Sequence, residues 1–187
     1  MAQKRKDWNG LISGFKASDL VFLDESGCNT DMTRRYAYSL GGSRAIDSAP
    51  LSKPKNTTIL SSIQLDGTLR YTTFSGGTTV EKFKRYLETD LLPHLNGNSV
   101  LIMDNMKSHH AKAVKNLLDS SGVRYIYPPP YSPDLNPIEK LWSKVKSFLR
   151  KFKARTLDAL PNAIQHAFQT VSPSDCSGWF KFCDYLH

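Results

Sequence analysis

The segment 19–27 reads DLVFLDESG, and it joins an unbroken apolar run to two adjacent carboxylates. The apolar run predicts a buried strand that Gly27 ends. The segment 99–104, SVLIMD, has the same character, because a wholly apolar run again closes on an acid. Such runs are typical of parallel strands that are buried on both faces. The sequence therefore predicts two central strands, each with an acid at or near its end, Asp24 and Asp104.

Turn signals and hydrophobic spacing predict further elements around these two strands. Asp66-Gly67 is a strong hairpin turn signal, Thr78 with Glu81 predicts a capping box at a helix start, and Gly122 ends a helix. The order of elements predicts an α/β domain with a mixed sheet. The other predicted strands cover 34–42, 56–65, 69–74 and 123–127, and the predicted helices run from Thr78, over 111–121, from 137 to about 152, and after Thr156.

The charge balance favours an anionic partner. Lys and Arg number 25 against 17 Asp and Glu, so the formal net charge is +8. Nucleic acid is the commonest partner of such a protein, with a basic protein that carries solvated lysines as the alternative. The segment 140–155 holds seven of the basic residues and no acid. A helix that basic favours contact with a phosphate backbone.

The sequence argues against several classes of protein. No apolar run approaches the roughly 20 residues that cross a bilayer, and the first residues lack the apolar stretch of a secretory signal. Three widely spaced cysteines, Cys28, Cys176 and Cys183, argue against a disulfide scaffold or a structural zinc site. A reducing compartment is therefore favoured.

Three acids are candidates for chemistry: Asp24, Asp104, and Glu139, which opens the long helix. An ionised carboxylate in a hydrophobic stretch is costly unless it is paired, hydrogen-bonded or bound to a cation. Mg²⁺ takes oxygen ligands of this kind, and two such ions roughly 3.5–4 Å apart promote in-line phosphoryl displacement. Each acid has a structural alternative: a strand-end hydrogen bond for Asp24, a loop start for Asp104, and a capping box with Asn136 for Glu139.

The long helix separates its apolar side chains from its charged ones. At helical spacing its apolar residues form one stripe that faces the core. Glu139 projects from one edge of this stripe, on the same flank as Lys146, Arg150 and Lys153. We expect this flank to hold phosphates beside metal ligands, with a solvated lysine-rich surface as the alternative. The stripe consists of Ile138, Leu141, Trp142, Val145, Phe148, Leu149 and Phe152.

Three motifs follow one another along the chain. They are LDESG at 23–27, MDN at 103–105 with His109 shortly after it, and PPPYSPDLNPIEKLW at 128–142. The second and third acids are separated by the 34 residues 105–138. Together these features resemble the DDE transposases of the mariner superfamily, in particular its bacterial insertion-sequence branch. The resemblance covers nearly the whole chain, and the last motif is the most specific.

The resemblance implies a ribonuclease H-like fold, a mixed sheet with helices on both faces, in agreement with the predicted order of elements. It also implies that Asp24, Asp104 and Glu139 bind two Mg²⁺ ions, or Mn²⁺, with Asp24 bridging both. The implied activity is DNA cleavage at a transposon end, after which the freed 3′-hydroxyl attacks target DNA at a TA dinucleotide. Asn105 and His109 match positions beside the second acid, where they are expected to orient ligands or DNA.

Smaller roles are expected for neighbouring residues of these motifs. Tyr131 and Pro133 are expected to shape the turn that presents Glu139, and Trp142 is expected to lie in the core. No role follows for His110.

The expected organisation is a linker-like arm over 1–18, the catalytic domain over 19–170 and a C-terminal extension over 171–187. The resemblance implies a helix-turn-helix region before the catalytic domain, and the 23 residues that precede Asp24 are too few for it. The chain is therefore expected to be the second half of a split reading frame, a truncated copy or an excised domain, and in the first case a separately encoded helix-turn-helix half recognises the transposon ends. The expected partners are transposon-end and target DNA, bound by a homodimer, in the cytoplasm and associated with the nucleoid. The alternatives are a catalytically idle DNA-binding remnant and a ribonuclease H-like nuclease acting on RNA–DNA hybrids, against which the last motif argues.

Overall fold

The protein is described by a computed structural model, which covers residues 2–34, 36–48, 50 and 54–186. The strands in chain order are β1 (Leu20–Cys28), β2 (Thr57–Gln64), β3 (Leu69–Ser75), β4 (Val100–Met103) and β5 (Arg124–Ile126). Across the sheet their order is β3-β2-β1-β4-β5. Strand β2 is antiparallel to β1 and β3, whereas β4 is parallel to β1 and β5. The mixed sheet predicted from the order of elements is confirmed.

Helices surround this sheet. They are α1 (Ala2–Ile12), α2 (Val80–Tyr86), α3 (Lys112–Ser121), α4 (Ile138–Phe152), α5 (Ala159–Gln169) and α6 (Pro173–Phe182). Helix α2 continues through a wider turn over Leu87–Leu91 and a 3₁₀ turn over Leu92–His94, and further 3₁₀ turns cover Ala17–Asp19 and Pro133–Leu135. Within the described part of the chain, none of the helices has the length and apolar character needed to cross a membrane.

The side chains of β1 alternate between two cores, because neighbouring residues of a strand point to opposite faces of the sheet. Phe22 belongs to the core that α4 and α5 cover, whereas Leu23 belongs to the core under α2 and α3. Helices therefore pack on both faces, as predicted. The same alternation directs Asp24 to the α4 side, where Trp142 donates a hydrogen bond to it, and Glu25 to the α2 and α3 side.

The strand predicted over 34–42 is wrong. Arg35 lies outside the described residues, and the others form an irregular, exposed segment between β1 and β2. Tyr36, Tyr38 and Leu40 are 91%, 106% and 88% exposed. Their alternation resembles that of a strand, but β1 is already paired with β2 on one side and with β4 on the other. The segment therefore has the alternation of a strand but does not pair with β1.

The helix ends agree with the sequence to within a residue or two. Gly122 ends α3 in the left-handed conformation at φ 69°, which glycine adopts without strain. Thr79, and not Thr78, caps α2, since its hydroxyl accepts the Lys82 N–H at 3.3 Å. At α4, Pro137 rather than Asn136 precedes the first helical residue.

Both terminal segments contribute to the core on the α4 side of the sheet. Trp8 of α1 is 4% exposed and donates from Nε1 to the Tyr185 hydroxyl at 3.3 Å. Phe180 of α6 packs edge-on against Phe22, with ring centroids 5.3 Å apart. Arg5 also forms an ion pair with Asp134. The arm expected to be linker-like is thus a packed helix, while the boundaries 1–18, 19–170 and 171–187 stay predictions.

Candidate active site

One cleft brings together the three acids that the sequence singles out. Asp24, Asp104 and Glu139 all line a cleft of about 420 Å³. Strands β1 and β4 run parallel with Leu23 opposite Met103, so the residues that follow this pair, Asp24 and Asp104, lie side by side. Glu139 enters from the first turn of α4. The remaining wall consists of Asn105, Met106, 128–133 and Asn136.

Asp24 is held within the apolar body of the domain. The indole Nε1 of Trp142 donates to its Oδ2 at 2.9 Å. Burial raises the pKa of Asp24 to about 7, although the hydrogen bonds from Trp142 and from the Glu25 backbone oppose this shift, and the negative charges of Glu25 and Asp104 add to it. Protein groups alone thus disfavour the charged form of Asp24, and a cation in the cleft would favour it.

Asp104 is engaged on one of its two carboxylate oxygens. Its Oδ1 accepts the Met106 N–H at 3.1 Å, which is the loop-start contact that the structural alternative predicts. The same oxygen lies 2.9 Å from Nδ1 of His109. Burial alone would raise the pKa of Asp104, but the hydrogen bond and charge of His109 outweigh it and hold the pKa below its usual value. Among the described residues, no hydrogen bond reaches Oδ2, so this oxygen is available to a ligand.

Glu139 is exposed and free of the helix-capping role that its sequence context allows. Its backbone N–H donates to the Asn136 carbonyl at 3.1 Å, and the Ile138 N–H donates to Asn136 Oδ1 at 3.4 Å. Within the described part of the chain, the carboxylate of Glu139 accepts no hydrogen bond and forms no ion pair. The predicted capping box is therefore wrong, and the carboxylate is free to face the cleft.

The loop that leads to Glu139 is bent by Tyr131 and Pro133. Tyr131 adopts a left-handed backbone conformation at φ 56°, which is strained for a residue with a side chain, and its ring is exposed. Pro133 opens the 3₁₀ turn Pro133–Leu135. Both observations fit the expectation that these residues shape the turn. Trp142 is buried as predicted, and its hydrogen bond to Asp24 is a role that the apolar stripe did not indicate.

Asn105 and His109 lie in the loop that follows β4, and they contact different neighbours. Asn105 donates from Nδ2 to the Pro128 carbonyl at 3.0 Å and pairs with Nε2 of His110 at 3.2 Å, so it ties this loop to the proline-rich segment. His109 is fully buried, with Nε2 lying 3.0 Å from Glu25 Oε1. Burial lowers the pKa of His109, but its bonds to Asp104 and Glu25 outweigh this and raise it to about 10.

Glu25 is the residue that sequence reasoning missed. It directly follows Asp24, yet the alternation of β1 directs it to the opposite face, where it meets His109. Its position in an apolar strand next to the first acid was the available signal. Only the fold shows that its partner lies far along the chain.

The basic residues expected to bind DNA lie on one flank of α4, and their surroundings differ. Lys153 is paired with Asp47 at 2.6 Å. Arg150 lines a groove together with Arg34 and others of the segment after β1. Lys146 is half-buried and forms no ion pair within the described ranges. Arg150 and Lys146 are thus the members of this set whose charges stay available to an anion.

The donor chemistry of the cleft fits a hard divalent cation. Three carboxylates supply only oxygen ligands, as Mg²⁺ and Mn²⁺ prefer. The raised pKa of Asp24 means that no neighbouring cationic side chain among the residues described compensates its negative charge, as a bound metal ion would. A second set of atoms, from Glu25, Asp104 and His109, lies within 4.8 Å of one another, but there each ring nitrogen already faces a carboxylate oxygen.

The mixed sheet and the acidic cleft define an α/β domain with a candidate phosphoryl-transfer site. Residues 19–161 match the family described as DDE superfamily endonuclease, and the chain belongs to this family. It is 28% identical over 97 residues to the Transposable element Tc1 transposase of Caenorhabditis elegans, a match that covers 50% of this chain and 36% of that protein.

Solved structures of the Mos1 transposase share the fold. The chain is similar to Mos1 in a pre-cleavage transpososome, with a TM-score of 0.83, 18% identity, and 99% of this chain and 60% of that chain covered. It is also similar to the Mos1 catalytic domain with raltegravir and Mg, with a TM-score of 0.72, 16% identity, and coverage of 97% and 89%. The ribonuclease H-like fold is therefore confirmed. The chain spans about three fifths of the Mos1 chain in the transpososome and about a third of the Tc1 transposase.

Proposed function

We propose that this chain is the catalytic domain of a DDE transposase, which cleaves DNA at transposon ends and transfers the cut strand to target DNA. The observation that carries the proposal is the meeting of Asp24, Asp104 and Glu139 around one cleft. Acids so far apart in the chain share a cleft only through the fold, and carboxylates are the ligands that two-ion phosphoryl transfer requires. The family match and the similarity to Tc1 and Mos1 support the same interpretation.

Asp24, Asp104 and Glu139 would hold two Mg²⁺ or Mn²⁺ ions in this interpretation, and one Mos1 paired-end complex was solved with Mn. When bound, such ions supply the activation of the attacking oxygen and stabilise the leaving oxygen of an in-line displacement. Trp142 fixes one oxygen of Asp24, and His109 fixes one oxygen of Asp104.

The basic residues on one flank of α4 support DNA as the substrate. Arg150 and Lys146 lie on the flank of α4 that starts at Glu139, so a duplex whose phosphates contact this flank would pass the acids. In the first step water attacks a phosphodiester and breaks its bond to the 3′-oxygen, which leaves a 5′-phosphate and a free 3′-hydroxyl. In the second step that hydroxyl attacks a target phosphodiester and displaces the target strand's own 3′-hydroxyl, so one phosphodiester bond forms for the one that breaks.

The finer expectations belong to the same proposal. They are membership of the bacterial insertion-sequence branch, a homodimer on DNA, a separately encoded helix-turn-helix half, target choice at TA, and a cytoplasmic, nucleoid-associated location. The Mos1 structures are titled as a transpososome and as a paired-end complex with the left transposon end, and we propose comparable DNA partners here.

Supercoiled plasmid incubated with Mg²⁺ or Mn²⁺ tests the proposal. We expect metal-dependent nicking by the wild type and none by Asp104→Asn. Asp158→Asn is the matched control, because it makes the same chemical change at an exposed acid away from the cleft, and it should nick normally. Binding without nicking would favour the idle DNA-binding remnant. Cleavage of an RNA–DNA hybrid with none of duplex DNA would favour a ribonuclease H-like nuclease.

A further inference from the structure

A line of polar contacts runs from the cleft into the core behind Asp104. Nδ1 of His109 donates to the backbone carbonyl of Asp104 at 3.0 Å and also lies 2.9 Å from Oδ1 of the same residue, and Nε2 of His109 lies 3.0 Å from Oε1 of Glu25. Glu25 lies on β1 next to Asp24 but faces the opposite side of the sheet. Asp104 is therefore connected through the interior to the strand residue next to Asp24, and neither His109 nor Glu25 lines the cleft.

The inner part of this line, His109 and Glu25, is buried. The side chains of His109 and Glu25 are 0% and 7% exposed. The Phe83 ring stacks on the imidazole with centroids 4.2 Å apart, and the Tyr127 hydroxyl donates to the His109 carbonyl at 3.3 Å. Charged groups in such surroundings are tolerated only when each is paired. The imidazole meets this condition on both nitrogens, so its orientation is fixed by the fold.

We propose that His109 and Glu25 are positioning residues that set the orientation of the Asp104 carboxylate for metal binding. The inference rests on the proposed function, since it concerns a ligand of the proposed ions. His109 binds the Asp104 backbone carbonyl and lies within ion-pair distance of Oδ1, whereas Oδ2 accepts no hydrogen bond from the described residues. Glu25 holds the far side of the ring and so prevents it from rotating away from Asp104. Groups that orient a metal ligand in this way commonly change metal affinity when they are altered.

A direct role of His109 as a metal ligand is disfavoured by the same geometry. Its two nitrogens face Asp104 and Glu25, and a ring that donates to both has no lone pair for a metal. A metal ion among these three residues would have to break one of the two bonds. The cleft side of Asp104 requires no such rearrangement.

Two amide substitutions in the full chain test the roles of the two His109 nitrogens one at a time. In His109→Asn the amide nitrogen falls near the position of Nδ1 and still donates to Asp104. In His109→Gln it falls near Nε2 and reaches Glu25 instead. Mn²⁺ affinity, measured by titration calorimetry without DNA, should stay near the wild-type value for the Asn variant and fall roughly 10- to 100-fold for the Gln variant. An equal loss in both variants, or a loss in neither, would overturn the proposal.

Far-UV circular dichroism without metal verifies that each variant is folded. If the His109 variants do not fold, Glu25→Met serves, because it removes the acceptor that holds Nε2 and leaves the Asp104 side of the ring unchanged. The ring is then free to rotate away from Asp104, so we expect a several-fold weaker affinity for Mn²⁺; an unchanged affinity would refute the role of Glu25.

Different results would contradict the positioning role of His109 and the proposed function. Wild-type binding of Mn²⁺ that Asp104→Asn abolishes, with His109→Gln unaffected, removes the positioning role and leaves the proposed function standing. A wild type that binds no Mn²⁺ removes both.

Discussion

Replacing Asp24 by asparagine should stabilise the metal-free protein, and the gain should grow with pH. The pKa of Asp24 is raised by burial to about 7, against 3.8 for an ordinary aspartate. Because the folded state favours the protonated acid, the contribution of this group to stability is complete below pH 3.8 and is lost as the pH rises to 7. At 1.36 kcal/mol for each pKa unit, this titratable group lowers the free energy of unfolding by about 4 kcal/mol at pH 8 and by about 1.7 kcal/mol at pH 5, relative to its value below pH 3.8.

The asparagine side chain would keep the shape of the aspartate and an acceptor for Trp142, so Asp24→Asn removes mainly this cost. Urea unfolding in the presence of EDTA should give a free energy of unfolding higher by about 4 kcal/mol at pH 8 and by less than about 2 kcal/mol at pH 5. Asp158→Asn is again the matched control and should change neither value by more than about 0.5 kcal/mol. A gain that is equal at the two pH values, or a loss at pH 8, would show that burial does not disfavour the ionised form of Asp24.

The other predictions concern the neighbours of the cleft and the packing of α1. Trp142→Phe removes the donor to Asp24, and a hydrogen bond to a charged group contributes about 1.5–3 kcal/mol, so the pH midpoint of Mn²⁺ binding should rise by about 1–2 units; an unchanged midpoint would contradict this. Arg150→Ala should lower the salt dependence of DNA binding by about one phosphate contact, whereas Lys151→Ala, on the other flank of α4, should not. Trp8→Ala should reduce the free energy of unfolding by about 3–5 kcal/mol in urea titrations, and a negligible loss would show that α1 does not belong to the folded core.

The central strands were predictable because burial on both faces leaves a simple mark on the sequence. The unbroken apolar runs of β1 and β4 reflect packing against helices on each side of the sheet. Likewise, the stripe on α4 reflects one buried face. The acids next to these runs stand out because an ionised group there requires a partner.

The features that escaped prediction depend on pairing, which a single sequence does not display. The segment 34–42 carries a strand-like alternation, but whether β1 has a free edge is decided by β2 and β4. In the same way, the pairing of Glu25 with His109 depends on the position of the loop after β4. The burial of Trp8 depends on Tyr185, at the opposite end of the chain.

Anomalous diffraction from crystals grown with Mn²⁺ shows whether the three acids share ions. We expect manganese peaks in direct contact with carboxylate oxygens of Asp24, Asp104 and Glu139, with Asp24 in contact with more than one ion. Peaks confined to Glu25 and His109, or the absence of any peak in the cleft, would contradict this expectation.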